Sequence, residues 1–171
     1  MLGCALAGCG GADPAASDPP SVSPSPSPTG PTAPALPRAA RQHTKAGAIA
    51  FVRHYIDLIN YAQASGDVAV VSSASVAGCS SCNSTNRYLH RLHASGGQLV
   101  GGRTAIREVL DALSPTLYGD YVIDLAITIK PSVEIKGDGH RHRYKGGRNV
   151  LSVFPKWTHG KWKVAQWTRA K

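Results

Sequence analysis

The chain has 171 residues, with 19 Lys or Arg against 10 Asp or Glu and a formal net charge of +9. No run approaches the about 18 apolar residues of a membrane-spanning helix, so a helical span is excluded within it. The charge is uneven: eight basic and eight acidic residues precede Lys130, and eleven basic and two acidic residues follow from there, so the whole excess lies in the last quarter.

The first informative residues are Leu6-Ala7-Gly8-Cys9. A short apolar run ending in small-small-Cys resembles the lipobox of bacterial lipoproteins. That resemblance implies a truncated signal over residues 1–9, cleavage before Cys9 and a diacylglyceryl group on its sulfur. Residues 10–41 then hold nine of the twelve prolines among Ser, Ala, Thr and Gly. Proline fixes φ and removes a donor, and little here is apolar enough to offset the entropy of ordering. The segment is expected to be a disordered Pro/Ser/Ala-rich tether, with an upper bound to its reach on the order of 90–100 Å at about 3.1 Å per residue. Two or more acyl chains hold a protein stably at a bilayer. The expected location is therefore the extracytoplasmic face of the cell membrane, lipid-anchored through Cys9.

From Gln42 to Lys171 the composition becomes that of an ordinary globular domain, expected to be single, at about 130 residues. Thr44 can cap a helix whose stripe is Ala48, Val52, Tyr55, Ile59 and Ala62, flanked by Phe51 and Leu58 and ending before Gly66-Asp67. Val68 to Val76 reads as a short second helix, and residues 83–94, closed by Gly96-Gly97, as a third. Residues 103–113 fit either a helix, through Ile106, Val109, Leu110 and Leu113, or a strand bounded by Gly101-Gly102 and Ser114-Pro115. Tyr121 to Lys130 alternates cleanly and is a strand ended by Pro131. Two hairpins follow, one turning at Gly137-Asp138-Gly139 and one at Thr158-His159-Gly160.

Helices first and an antiparallel meander second predict an α+β fold, with N-terminal helices packed on a curved sheet. That order and the ending Gly160-Lys161-Trp162-Lys163-Val164 resemble the nuclear-transport-factor-like or SnoaL-like cone-shaped roll. More narrowly, the chain resembles an uncharacterised family of actinobacterial lipoproteins. The matching features are the lipobox, the tether, Ala50-Phe51 with Tyr55, Asn60-Tyr61, Gly66-Asp67, the Cys79–Cys82 pair and Gly96-Gly97 with Gly101-Gly102. The resemblance implies that residues 103–111 are a strand. It implies no activity.

With Cys4 in the signal and Cys9 lipidated, Cys79 and Cys82 form an even pair in an oxidising compartment, which points to a structural disulfide. Two other chemistries are open to the pair. One is thiol–disulfide exchange, although redox C-x-x-C motifs usually follow a strand. The other is zinc held with His90 and His93, although their spacing is tighter than usual. Lys136, Arg141, Arg143, Lys145, Arg148, Lys161 and Lys163 are candidate polyanion contacts. Outside the membrane the partners they suit are anionic lipid, a phosphate-bearing wall polymer or an envelope protein, not nucleic acid. Tyr55, Asp57 and Asp124 are the groups a cone-lined active site would use. They form no spaced catalytic motif, and no nucleophile elbow, phosphate loop or cofactor fingerprint is present. Trp157, Trp162 and Trp167 are expected to pack the core and hairpins rather than line a pocket. The expected function is a non-catalytic binding or scaffold domain at the cell envelope, with a thiol-redox protein, or a carrier or enzyme using the cone cavity, as the alternatives.

Overall fold

The computed structural model describes residues 30–113 and 117–169. The signal 1–9 with Cys9, and residues 10–29 of the tether, lie outside the described residues. The packed domain starts earlier than Gln42. Ala40, in a short 3-10 turn over Ala39–Arg41, is buried, and Leu36 packs against the core. Once the prolines thin out, these two apolar side chains have somewhere to go.

Helix α1 spans Lys45–Ser65. The Thr44 hydroxyl accepts the Gly47 N–H at 3.0 Å, and Gly66, in the left-handed region, closes the far end through its N–H to the Ala62 carbonyl. The predicted stripe is the buried one: Ala48, Val52, Tyr55 and Ala62 are at most 1% exposed. Helix α2 spans Ala69–Ser73 and α3 spans Ser80–Ala94. Cys79 caps α3, its sulfur accepting the Cys82 N–H at 3.2 Å.

Seven strands follow: β1 Gln98–Gly101, β2 Thr104–Leu113, β3 Val122–Ile129, β4 Ser132–Ile135, β5 Arg141–Tyr144, β6 Gly147–Thr158 and β7 Lys161–Arg169. They form not one curved sheet but two antiparallel ones, in the orders β1-β4-β5 and β2-β3-β6-β7. Residues 103–113 are essentially a strand, as the family resemblance implied, whereas β1 has no counterpart in the sequence reading.

The chain passes from one sheet to the other three times, at 101–104, 129–132 and 144–147. The crossings are stitched to one another: Gly102 donates to the Pro131 carbonyl at 3.1 Å and Lys130 to the Arg103 carbonyl at 3.0 Å. Gly101 and Gly146 both have positive φ, and a Cβ on Gly146 would run into the Ile129 carbonyl. Glycine is needed where the backbone doubles this closely past another strand. Helices α1 and α3 pack against the strands, and the core between them holds Val52, Tyr55, Val71, Leu89, Ile123, Leu125, Val153 and Val164, essentially without exposure.

Candidate ligand-binding cavity

Part of the space between the helices and the two sheets is open. A cavity of about 550 Å³ lies between α1, α3 and the strands, within the range of about 300–1,000 Å³ usual for small-ligand sites. Its floor comes from the inward positions of β3 and β6 and from α1: Tyr55, Ile56, Ile127, Leu151 and Val153, all buried. Ile59, Leu99, Ile129 and Trp167 form half-buried walls, and neutral polar groups (Gln63, Thr104, Asn149) stand among them. The rim is the segment Arg143-Tyr144-Lys145-Gly146 with Arg169, all exposed. The Trp167 indole Nε1 is buried and makes no hydrogen bond.

Asn60 fixes where β2 starts relative to α1. Its amide donates to the Thr104 carbonyl and accepts the Thr104 N–H, both at 2.8 Å. Tyr55 reaches across to α2's end, its hydroxyl 3.2 Å from the Ser75 Oγ. Ser75 itself donates to the Val71 carbonyl at 2.8 Å, so the Tyr55 hydroxyl is the donor of the pair. Burial pushes its pKa up to about 12.

A polar cluster borders the cavity. Glu134, 8% exposed, accepts the Tyr88 hydroxyl at 2.7 Å and the Tyr144 hydroxyl at 2.9 Å, both on Oε2. Those two bonds, Tyr88's first, hold the Glu134 carboxyl below the usual carboxylate range against its burial. Desolvation raises the Tyr88 hydroxyl, and the carboxylate it bonds raises it further; the same carboxylate raises Tyr144. At neutral pH the cluster is thus an ionised carboxylate held by two protonated phenols. Beyond Tyr88 a second, more open groove of about 430 Å³ runs along Arg91, Ser95, Glu134 and Lys136.

The residues singled out in the sequence are scattered. Tyr55 lies at the cavity floor. Asp57 is exposed and 3.8 Å from the Arg103 guanidinium. Asp124 sits between the inward Ile123 and Leu125, so it belongs to the outer face of the larger sheet, where its Oδ1 is buried without a partner. Trp157 and Trp162 pack as expected, with His43 stacked on Trp157 at 4.9 Å and Trp162 donating to the Gln42 carbonyl. Trp167 also packs against the core and in addition stands in the cavity wall.

The seven cations do not form one face. Lys136, Arg141, Arg143, Lys145 and Arg148 cluster around β4, β5 and the start of β6. Lys161 and Lys163 lie beside the other end of β6, opposite Thr158 and Lys156, and its 12 residues span roughly 35–40 Å. Lys163 is tied there to the Ser75 carbonyl at 3.4 Å.

The Cys79 and Cys82 sulfurs are joined, and both residues are fully buried. His90 is exposed, and His93 donates to the Gln63 carbonyl at 3.1 Å, eight or more helical residues from the pair. The structure thus does not assemble the four into a zinc site, and no group of three or more His, Cys, Asp or Glu among the described residues could hold a metal. No described helix is long and apolar enough to cross a membrane.

The sequence reading missed Tyr88, Glu134 and Tyr144. No local signal pointed to them: Ser132-Val133-Glu134-Ile135 buries its polar positions and leaves its apolar ones half-exposed, the reverse of what its alternation predicts.

The domain is thus of the α+β class, three helices packed with two antiparallel sheets around an open, mostly apolar cavity. The chain is a member of a family of unknown function, DUF6318, whose pattern matches residues 26–168. No curated protein matches it.

Proposed function

We propose that this protein is a lipoprotein of the cell envelope, held through Cys9 at the extracytoplasmic face, whose cone domain binds a small, largely apolar ligand without transforming it. One observation carries the reading: the cavity of about 550 Å³ with an apolar, fully buried floor and an open rim. A scaffold module would have been better served by a filled cone. The titration pattern around it supports binding over catalysis. An acid–base catalyst works best with a pKa near the operating pH, whereas Glu134 is held low and Tyr88 and Tyr144 high.

The lipobox and the likeness to actinobacterial lipoproteins with a SnoaL-like roll support the location. The five cations around β4 and β5 support contact with anionic lipid or wall polymer, a role Lys161 and Lys163 are too distant to share. Complete burial of both cysteines weighs against thiol exchange, which needs an accessible thiolate.

The test is saturable binding of N-phenyl-1-naphthylamine, a neutral apolar fluorophore, to the full chain carrying C9S to prevent acylation. One-to-one binding that is lost in I59W, which puts an indole into the half-buried wall, is expected. Absence of binding by the unmodified cavity, or equal binding by the filled one, would sink the reading.

A further inference from the structure

We propose that the cavity selects an amphiphile with an anionic head group, its aliphatic part on the floor and its charge at the rim between Arg143, Lys145 and Arg169. The inference rests on the ligand-binding reading above and adds the chemistry of the ligand.

The charge inventory of the lining carries it. Among the described residues that line the cavity there are three cations and no carboxylate. All three cations lie at the exposed edge, while the residues of the floor are buried and apolar apart from the Tyr55 hydroxyl. Polarity therefore runs in one direction, from hydrocarbon at the bottom to cationic at the mouth, which is the profile of an anionic amphiphile turned inside out.

The three cations come from separate elements, Arg143 from β5, Lys145 from the crossing to β6 and Arg169 from the end of β7. All three line the same cavity, beside the β5–β6 crossing where Gly146 passes close to the Ile129 carbonyl. None is engaged in an ion pair with a carboxylate among the described residues. The nearest buried carboxylate, Glu134, does not line the cavity, and its Oε2 is taken by the Tyr88 and Tyr144 hydroxyls. A cationic head would meet three like charges; a neutral one would forgo their attraction.

The shared ligand chemistry is a carboxylate or phosphate on an aliphatic chain. Isothermal titration of the full chain carrying C9S, with dodecanoate, dodecyl phosphate, dodecanol and dodecyltrimethylammonium, separates the cases. Dodecanoate or dodecyl phosphate should bind about tenfold tighter than dodecanol, the size expected of two or three partly exposed charge contacts. The tighter of the two anions says whether a fatty acid or a phosphate-headed lipid is the source. The combined variant R143A/K145A/R169A should bring the ratio to about one. The variant K161A/K163A, altered at the far end of β6, should leave the preference intact, and unchanged thermal unfolding of both verifies that they fold. Equal affinity for dodecanol and the anions, or a preference for the ammonium, would overturn the inference and leave the cavity reading standing. Binding of none of the four, together with a silent fluorophore, would overturn both.

Discussion

Replacement of Glu134 by Gln is the most demanding probe of the polar cluster beside the cavity. In the parent chain the Glu134 Oε2 accepts two phenolic hydrogen bonds, 2.7 Å from Tyr88 and 2.9 Å from Tyr144. A hydrogen bond to a charged group contributes about 1.5–3 kcal/mol, and a neutral one about 0.5–1.5 kcal/mol. The Tyr88 bond belongs in the middle of the first range, and that of Tyr144, which is 44% exposed, at or below its lower end. Gln keeps the shape and one acceptor but removes the charge, so E134Q should lose about 1–2 kcal/mol at neutral pH. The pH dependence gives the sharper test. A carboxyl whose folded pKa is depressed contributes stability above its unfolded pKa and loses it as pH falls through the folded one. Stability of the parent should therefore approach that of E134Q as pH falls below the carboxylate range. Buried His54, its pKa lowered from 6.5 by desolvation, adds a separate loss on acidification, since the unfolded chain then binds the extra proton. It acts equally in both proteins and cancels in their difference. Urea unfolding followed by tryptophan fluorescence, at neutral pH and at about pH 3, measures that difference. A gap that is absent at neutral pH, or that does not shrink in acid, would refute the role assigned to the cluster.

Asn60→Ala strands both the N–H and the carbonyl of Thr104 at the start of β2; a loss of about 2–3 kcal/mol is expected by chemical denaturation, against nearly none for an exposed Asn. Tyr55, raised from 10.0 to about 12, favours the protonated folded state, so its contribution is complete below pH 10 and lost as pH rises through about 12. Two units correspond to about 2.7 kcal/mol, and Y55F should flatten that part of the alkaline unfolding curve. Reduction of Cys79–Cys82 opens a loop with a sequence separation of only 3, so the loss should be near 2 kcal/mol by the chain-entropy relation, read as a shift of the urea midpoint with reductant.

How much of this was legible depends on whether local pattern and tertiary register agree. They agree in α1, where Thr44, Gly66 and the stripe between them all give the same boundaries, and in β3, whose alternation survives intact as buried Ile123, Leu125 and Ile127. They disagree in β2. Register shifts between Ile106 and Glu108 and between Val109 and Asp111 leave Ile106, Val109 and Ala112 opposite the inward residues of β3. An inward spacing of three imitates a helix at Ile106 and Val109, whereas Leu110 and Leu113, which completed the helical stripe, are 49% and 56% exposed. A further shift at Phe154/Pro155 puts Trp167 opposite Val153 and Trp162 opposite Trp157, turning both indoles inward although five residues separate them. The Glu134 cluster had no local trace, because Tyr88 and Glu134 are 46 residues apart and meet only in the folded domain, where the Tyr88 hydroxyl of α3 reaches β4.

The placement of the chain's entry bears on what the cavity can reach. The segment leading into α1 is fastened beside the β6–β7 turn: the Gln42 carbonyl accepts from Trp162, and His43 stacks on Trp157 with its Nε2 3.0 Å from Asp120. The rim residues Arg143 to Gly146 adjoin the opposite end of β6, and Gln63, near the end of α1, lines the same opening. Helix α1, 21 residues and about 30 Å long, thus runs from the point of attachment to the mouth. If the Pro-rich segment leads back to an acylated Cys9, the attached end of the domain is the one nearer the anchor and the mouth is directed outward. A ligand leaving this mouth would then be handed to a partner in the envelope more readily than to the bilayer that carries the protein. Moving the anchor to the C-terminus, beyond Arg169 beside the rim, would reverse that geometry. Transfer of a bound fluorescent fatty acid to acceptor vesicles from chains fixed to donor vesicles should be slower from the C-terminally anchored form. Equal transfer from both would show that the length of the tether erases the orientation.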